Sequence, residues 1–546
     1  MTLKKDTLLK STLILAAAAL IARALGIFQR VPLDYILNDV GNGYFNSANN
    51  LYLLLLMVAT AGIPSAISKM VSERYALGKI GEAQQVYRAA LLFGAVAGVV
   101  ITLLMIVLAP FIANAILGKP DAAASLRAIA PSLLLFPMIA MVRGYFQGRQ
   151  FMTAGAISQI AEQFARVIAA VAIAYAIYSA NPLNDKGIAA GAVLGSVFGS
   201  IAAFAVMVYY ARRLKRIDRA QPRQGTDPSR KLRLKAIYRE LFNLSIPIVM
   251  TSVTVQLLFT MDTYMVIPLS EGHFDDLKIE HWWAVLGMNA QSIAGIPVVL
   301  AIALCQSIIP IISSAHAMDD RDRVGKQASL AVRIALYSGM PIILMLGVGA
   351  YSVNGLLFEK PDGSAIVAFL TLGTIFQIGM MVTNSILLGI GQPKKATMHA
   401  LTGIVLKVIL SFALAPVFGV YGIIAATTVC FIWAMTFNIL SLKKRTQIRI
   451  IGNRWTGFLL TTGIVAAAIA LLEWIVLAIL RGAVPDKVAY FFSCAVMGGA
   501  IAVLYPALLV LLRVVSAEEI AGYPRPIRKL LSPFLKLRAS RAGTGA

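Results

Sequence analysis

The chain has 546 residues, of which 59% are hydrophobic and 14% charged, with a mean hydropathy of +0.78. That composition excludes a set of soluble domains and defines a polytopic membrane protein. The net charge of +24 does not point to nucleic acid, because the cations gather at the ends of apolar runs and in a few connections; anionic membrane lipids suit them better.

Apolar stretches recur about fourteen times, each long enough for a hydrocarbon core of about 30 Å, and backbone satisfaction in lipid makes them helices. The predicted spans are 8–37, 44–75, 84–117, 122–149, 153–180, 186–213, 238–268, 284–315, 327–357, 364–391, 395–418, 420–443, 455–481 and 487–513. The fold class is therefore all-α, with about fourteen transmembrane helices. The first span follows Lys4, Lys5 and Lys10 in the manner of a signal peptide. It runs past the usual length of such a segment and carries Arg23 before any cleavage site, so it reads as a retained helix. Cys305, Cys430 and Cys494 are far apart in apolar sequence and indicate neither a disulfide framework nor a metal site.

Alternate connections are basic: the N-terminus, the stretch with Lys69, Arg74 and Lys79, the pair Arg143 and Arg149, Lys394 with Lys395, and Lys443 to Arg445. Those between are neutral or acidic, most clearly Glu271, Asp275, Asp276 and Glu280, which places both termini in the cytoplasm. The largest basic connection, 212–239, holds eleven Lys or Arg against Asp218 and Asp227 and reads as a cytoplasmic linker. It falls midway through the first twelve spans, and Arg88 to Gly94 resembles Arg333 to Gly339 across it, so the chain divides into two six-helix halves. The expected domains are 1–235, 236–452, and 453–546 with the last two spans and a basic tail. Gly191, Gly195 and Gly199, four apart, read as a close-packing stripe.

The ionisable residues inside spans are the candidate site, since a charge at mid-bilayer costs about 3 kcal/mol or more unless paired or hydrated. Arg23 and Arg30, seven apart in the first span, share one side of a helix. Gln159, Glu162 and Arg166 share a face of the fifth span, where Glu162 and Arg166 can pair at i, i+4; Lys407 lies deep in the eleventh. Cations outnumber the acids Glu162 and Asp262 at these depths, so the interior calls for an external anion, and arginine's planar fork suits phosphate oxygens. Asp262 and Glu162 are the candidates for coupling to Na⁺ or H⁺. Asp262 reads equally as a neutralising partner for a neighbouring cation. Glu473 reads as an interfacial residue. No nucleophile motif, P-loop or metal-spaced His and carboxylate pair occurs within a span, so no enzyme, no cofactor and no metal is expected. The segment 271–283 reads as a solvated outer loop.

The stretches "LIARALGIFQRVPL", "NLYLLLLMVATAGIPSAISKMVSERYALG" and "RGYFQGRQFM" resemble the polysaccharide biosynthesis and stage V sporulation protein B branch of the multidrug/oligosaccharidyl-lipid/polysaccharide (MOP) exporter superfamily, which includes the MurJ-type lipid II flippases of Gram-positive bacteria. The resemblance implies two six-helix lobes around a central cationic cavity, two further helices making a groove for a lipid tail, and alternating access across the bacterial cell membrane. It implies that Arg23 and Arg30 meet the pyrophosphate of an undecaprenyl-linked saccharide, lipid II first of all, with Arg166, Lys407, Gln159 and Glu162 lining the same cavity. Coupling to the membrane potential or to Na⁺ or H⁺, and association with cell-wall synthesis proteins, belong to the same expectation. Three alternatives stand beside it: a flippase for another lipid-linked polysaccharide, a multidrug or cation antiporter of the superfamily, and a membrane glycosyltransferase or polymerase. The acidic residue that Gram-negative relatives carry after the first span has no clear match near Asp39.

Overall fold

The structure, a computed structural model, describes residues 8–37, 62–116, 120–220, 231–358, 361–446, 454–480 and 482–515, with isolated positions at 41, 44, 45, 48, 49, 52 and 448. Its helices are α1 Leu8–Ile36, α2 Ile63–Ala76, α3 Ile80–Phe111, α4 Ala122–Gly148, α5 Met152–Ala180, α6 Asp185–Ala220 and α7 Leu234–Ser270. They continue as α8 Asp276–Ala284, α9 Gln291–Ala317, α10 Arg321–Val348, α11 Ala350–Leu357 and α12 Ser364–Gly389. The last four are α13 Pro393–Phe418, α14 Val420–Lys443, α15 Trp455–Leu480 and α16 Asp486–Leu511. No strand occurs among the described residues beyond a single bridge position at Val484.

Twelve helical segments among the described residues are long and apolar enough to cross a membrane, from Ile80–Asn114 through Asp486–Leu511. The two expected spans outside these twelve are 8–37 and 44–75, parts of which lie outside the described residues. Among the described residues the apolar stretch of α1 is Leu9–Ala22, and the middle of the second predicted span, from 46 to 61, lies largely outside the described residues.

Three local readings change. The span 327–357 is two helices, divided at Gly349, where a side chain would stand 2.7 Å from Met345 O and 2.8 Å from Met497. The segment 271–283 is not wholly a loop. After the extended Asp275 it becomes α8, because Ile279 and Trp282, three apart, supply a buried face. The linker is shorter than 212–239, since α6 carries the first basic residues as far as Ala220 and α7 begins at Leu234.

The chain forms two compact units. The first is Met1–Ser252 with Gln306–Asp320 and Leu388–Gly391; the second is Val253–Cys305, Arg321–Leu387 and Gln392–Ala546. Helices α7, α9 and α12 each have residues in both units. In the first unit α5 packs along α1 and α6, and α4 along α2, α3 and α6, around a core that includes Ile67, Met70, Val86, Met141, Phe146 and Met207. In the second unit α13 pairs with α14 and α15 with α16. Gly419, at φ +58°, makes the turn between α13 and α14 and leaves room for the Trp282 ring, which a side chain there would overlap. Leucine, valine, phenylalanine and tryptophan side chains along α3 and α15 stay exposed, as a lipid-facing surface requires.

Candidate functional site

Two half-buried arginines of the first unit meet on one buried carboxylate. Helix α4 ends in a tight turn in which Gln150 takes a left-handed conformation, φ +62°, and α5 starts at Met152 and runs back beside it. This brings Arg143 of α4 to Glu162 of α5, which is buried. Arg143 Nη2 donates to Glu162 Oε2 at 2.9 Å, and Arg166 Nη2, one turn on along α5, donates to Oε1 at 2.9 Å. Arg143 Nη2 also donates to Ser158 Oγ at 2.9 Å, and Ser158 is itself oriented by donating to Ala203 O at 3.3 Å. Arg166 Nη2 reaches Tyr52 Oη at 3.3 Å, with its guanidinium 5.7 Å from that ring's centroid.

Two guanidinium groups against one carboxylate leave a positive charge in excess. The Nε atoms of Arg143 and Arg166 are both buried without a hydrogen-bond partner among the described residues. An unpaired buried donor is costly.

The backbone beneath the cluster is held firmly. A side chain at Gly199 of α6 would stand 2.7 Å from Glu162 O, and one at Gly195 would stand 2.6 Å from Arg166 O. The glycine stripe is the close-packing surface expected of it, and its partner is the helix that carries Glu162 and Arg166.

Arg23 and Arg30 lie on α1, but their side chains fall outside the described residues. Gly26 lies between them in the helical register, and a side chain on it would stand 3.2 Å from Gln163 Nε2 of α5, so this part of α1 runs against the helix that carries Glu162. Gln159 is half-buried one turn before Glu162.

Lys407 and Asp262 belong to the second unit and have each other. Both are wholly buried, with Lys407 Nζ 3.0 Å from Asp262 Oδ1. Thr427 Oγ1 donates to the same oxygen at 2.7 Å, Lys407 Nζ lies 3.1 Å from Met265 Sδ, and Asp262 Oδ2 has no partner among the described residues. The neutralising role weighed for Asp262 thus falls on Lys407, and the cationic excess belongs to the first unit. Glu473 accepts the backbone N–H of Ser352 at 2.8 Å, satisfying the start of α11. Among the described residues no group of three or more His, Cys, Asp or Glu side chains is placed to hold a metal ion.

Arg143, Ser158, Tyr52, Thr427 and Met265 are not among the expected site residues. Arg143 was legible in principle: the apolar run of α4 continues beyond it to Gly148, which places the arginine inside the helix and not in a connection. Three further basic residues of this unit have acidic partners. Arg74 grips Glu240 at 3.2 and 2.7 Å, Arg149 grips Asp218 at 2.6 and 2.8 Å, and Lys69 pairs with Glu73.

The architecture is that of a solved class of transporters. An outward-facing multidrug resistance MATE family transporter of the MOP superfamily superposes with a TM-score of 0.65 at 13% identity, covering 81% of this chain and 96% of its own. The Vibrio cholerae MATE transporter VcmN in its bent form gives 0.66 at 13% identity, covering 80% and 97%. These likenesses establish the fold. The family described as "Polysaccharide biosynthesis protein" matches residues 8–316, more than half of the chain, and the chain belongs to that family. Among curated relatives, "Lipid II flippase MurJ" of Bacillus subtilis (strain 168) is 24% identical over 489 residues, 86% of this chain and 89% of its own. "Stage V sporulation protein B" of the same organism is 26% identical over 422 residues, 77% and 80%. The protein is thus a multi-pass membrane protein of that family.

Proposed function

We propose that this protein is an alternating-access flippase that carries an undecaprenyl-pyrophosphate-linked saccharide, lipid II first of all, from the inner to the outer leaflet of the bacterial cell membrane. The observation that carries the reading is the half-buried arginine pair on a single buried carboxylate, with two guanidinium N–H groups unsatisfied among the described residues. A pyrophosphate supplies the missing charge and the missing acceptors. The MATE fold alone serves a cation antiporter equally well, but a cationic drug finds no complementary charge in a cluster with an excess arginine. In this reading Arg23 and Arg30 extend the cationic surface along α1 beside α5, and Gln159 adds a neutral hydrogen-bonding group. The saccharide and pyrophosphate cross about 30 Å of hydrocarbon shielded by protein, while the polyprenyl chain stays in lipid. Fourteen crossings, the first two over 8–37 and 44–75, place both termini in the cytoplasm.

The substrate reading is tested by Arg23→Ala and Arg30→Ala, singly and together, in a flippase-depleted strain, with the amount of each variant in the membrane measured in parallel. Loss of complementation at normal abundance is expected, with partial function for Arg→Lys, which keeps charge but not the bidentate fork. Binding of undecaprenyl pyrophosphate should weaken by about 2–5 kcal/mol for each desolvated contact removed. Wild-type binding by the double variant would overturn the phosphate site. Which undecaprenyl-linked intermediate accumulates on depletion identifies the glycan.

The topology is tested by reporters after Thr226, Lys444 and Gly272. The first two should be cytoplasmic and the third, in the turn before α8, external. An external reporter at Thr226 reverses the orientation.

A further inference from the structure

We propose that Glu162 is a built-in anion that occupies the arginine pair when substrate is absent and yields Arg166 to phosphate when substrate enters; the inference rests on the pyrophosphate reading above. Each carboxylate oxygen of Glu162 takes one guanidinium, Oε2 that of Arg143 and Oε1 that of Arg166, both at 2.9 Å. This is the arrangement in which two arginines grip one oxyanion. The group at its centre belongs to the protein, and a phosphate must compete with it.

The two arginines are not held equally. Arg143 has a second anchor in Ser158 Oγ at 2.9 Å, itself oriented through Ala203 O. Besides Glu162, Arg166 has among the described residues only the longer contact to Tyr52 Oη, 3.3 Å. Glu162 and Arg166 stand four apart on α5, and Gly195 and Gly199 of α6 press on the carbonyl oxygens of those same two residues. The backbone therefore cannot carry one away from the other, and exchange proceeds by rotation of the Arg166 side chain. Once Arg166 turns to a phosphate, Glu162 and Arg143 remain as a neutral pair, so the charge given to the substrate is drawn from an internal bond and returns to it on release. A weak, singly charged anion does not repay the broken Arg166–Glu162 bond; a pyrophosphate with several charged oxygens does. Glu162 thereby sets a threshold for which anions bind and limits how tightly the substrate is held, which a transporter needs for release.

The test uses the full-length protein in detergent or lipid nanodiscs, with undecaprenyl pyrophosphate as the lipid probe and inorganic pyrophosphate as the free anion. Glu162→Gln removes the competing charge and should bind undecaprenyl pyrophosphate about tenfold more tightly than wild type, the scale of one charge-assisted hydrogen bond. Inorganic pyrophosphate should raise the melting temperature of Glu162→Gln while leaving wild type unmoved. Should Glu162→Gln fail to accumulate, Arg143→Gln with Glu162→Gln removes one charge of each sign and leaves Arg166 free, and the same two measurements apply to it. Glu162→Asp keeps the charge, is one methylene too short to bridge both arginines, and should tighten binding by a smaller factor. Equal or weaker lipid binding by folded Glu162→Gln and Glu162→Asp than by wild type, with no stabilisation by inorganic pyrophosphate, overturns the inference and leaves the substrate reading standing. Stabilisation of Glu162→Gln by inorganic pyrophosphate, with no binding of the lipid by any form, upholds the internal anion and overturns the substrate reading instead.

Discussion

Replacing Lys407 by methionine is expected to destabilise the protein by about 3–5 kcal/mol, the usual cost of leaving one member of a buried ion pair alone. Both partners are wholly buried, so no water is at hand to solvate the orphaned Asp262 carboxylate, whose Oδ2 already lacks a partner among the described residues. Thr427 would remain its only donor, through a single 2.7 Å bond to Oδ1. Asp262→Leu should cost a similar amount by stranding the ammonium, which would keep only the Met265 sulfur. The double variant Lys407→Met with Asp262→Leu should recover most of the loss, since exchanging a buried ion pair for apolar groups of similar size is often neutral or stabilising. Thermal melting of the four purified forms gives the coupling directly. The same set decides what the pair is for. A stable double variant that complements a depleted strain makes the pair a packing element, whereas a stable double variant that fails makes Asp262 or Lys407 part of the transport cycle, as expected if Asp262 couples to Na⁺ or H⁺.

The sequence made the membrane architecture plain because hydropathy over twenty residues is a strong signal and backbone satisfaction in lipid leaves few alternatives. It also made the local charge pairing plain: Glu162 and Arg166 at i, i+4 can meet only if the segment is a helix. Partners from other helices were not legible. Arg143 reaches Glu162 through the turn at Gln150, and Lys407 reaches Asp262 from a helix far along the chain, which hydropathy and spacing do not report. Lys69, Arg74 and Arg149, read as orientation signals, are each also engaged with an acidic side chain of their own unit, which charge alternation does not report. The segment 271–283 misled, because its charges obscured the Ile279 and Trp282 face that makes α8 a helix. The family was legible in three short stretches, two of them around residues now seen to matter: Gly26 between the first-helix arginines, and Arg143 at the head of "RGYFQGRQFM".

Replacing Gly195 by leucine is expected to prevent stable accumulation of the protein. A β-carbon at this position stands 2.6 Å from Arg166 O, 2.7 Å from Ala170 N and 2.6 Å from Ala170 Cβ. Two of those three atoms are backbone, which cannot turn aside as a side-chain tip can, so even alanine forces α6 away from α5 and should cost about 1–3 kcal/mol, the range for overpacking. Leucine adds three more carbons in the same direction. The control is Gly155, on α5 itself, where an added β-carbon meets nothing within 4 Å. There Gly155→Ala should be neutral or stabilising by up to about 1 kcal/mol, through helix propensity alone. Because Gly195 bears on the helix that carries Glu162 and Arg166, Gly195→Ala should weaken pyrophosphate binding as well as stability, although it touches neither side chain's charged end. The two effects separate by temperature: measured well below its melting temperature, Gly195→Ala should still bind more weakly than wild type if α6 positions the arginine cluster, and equally well if α6 contributes only to folding.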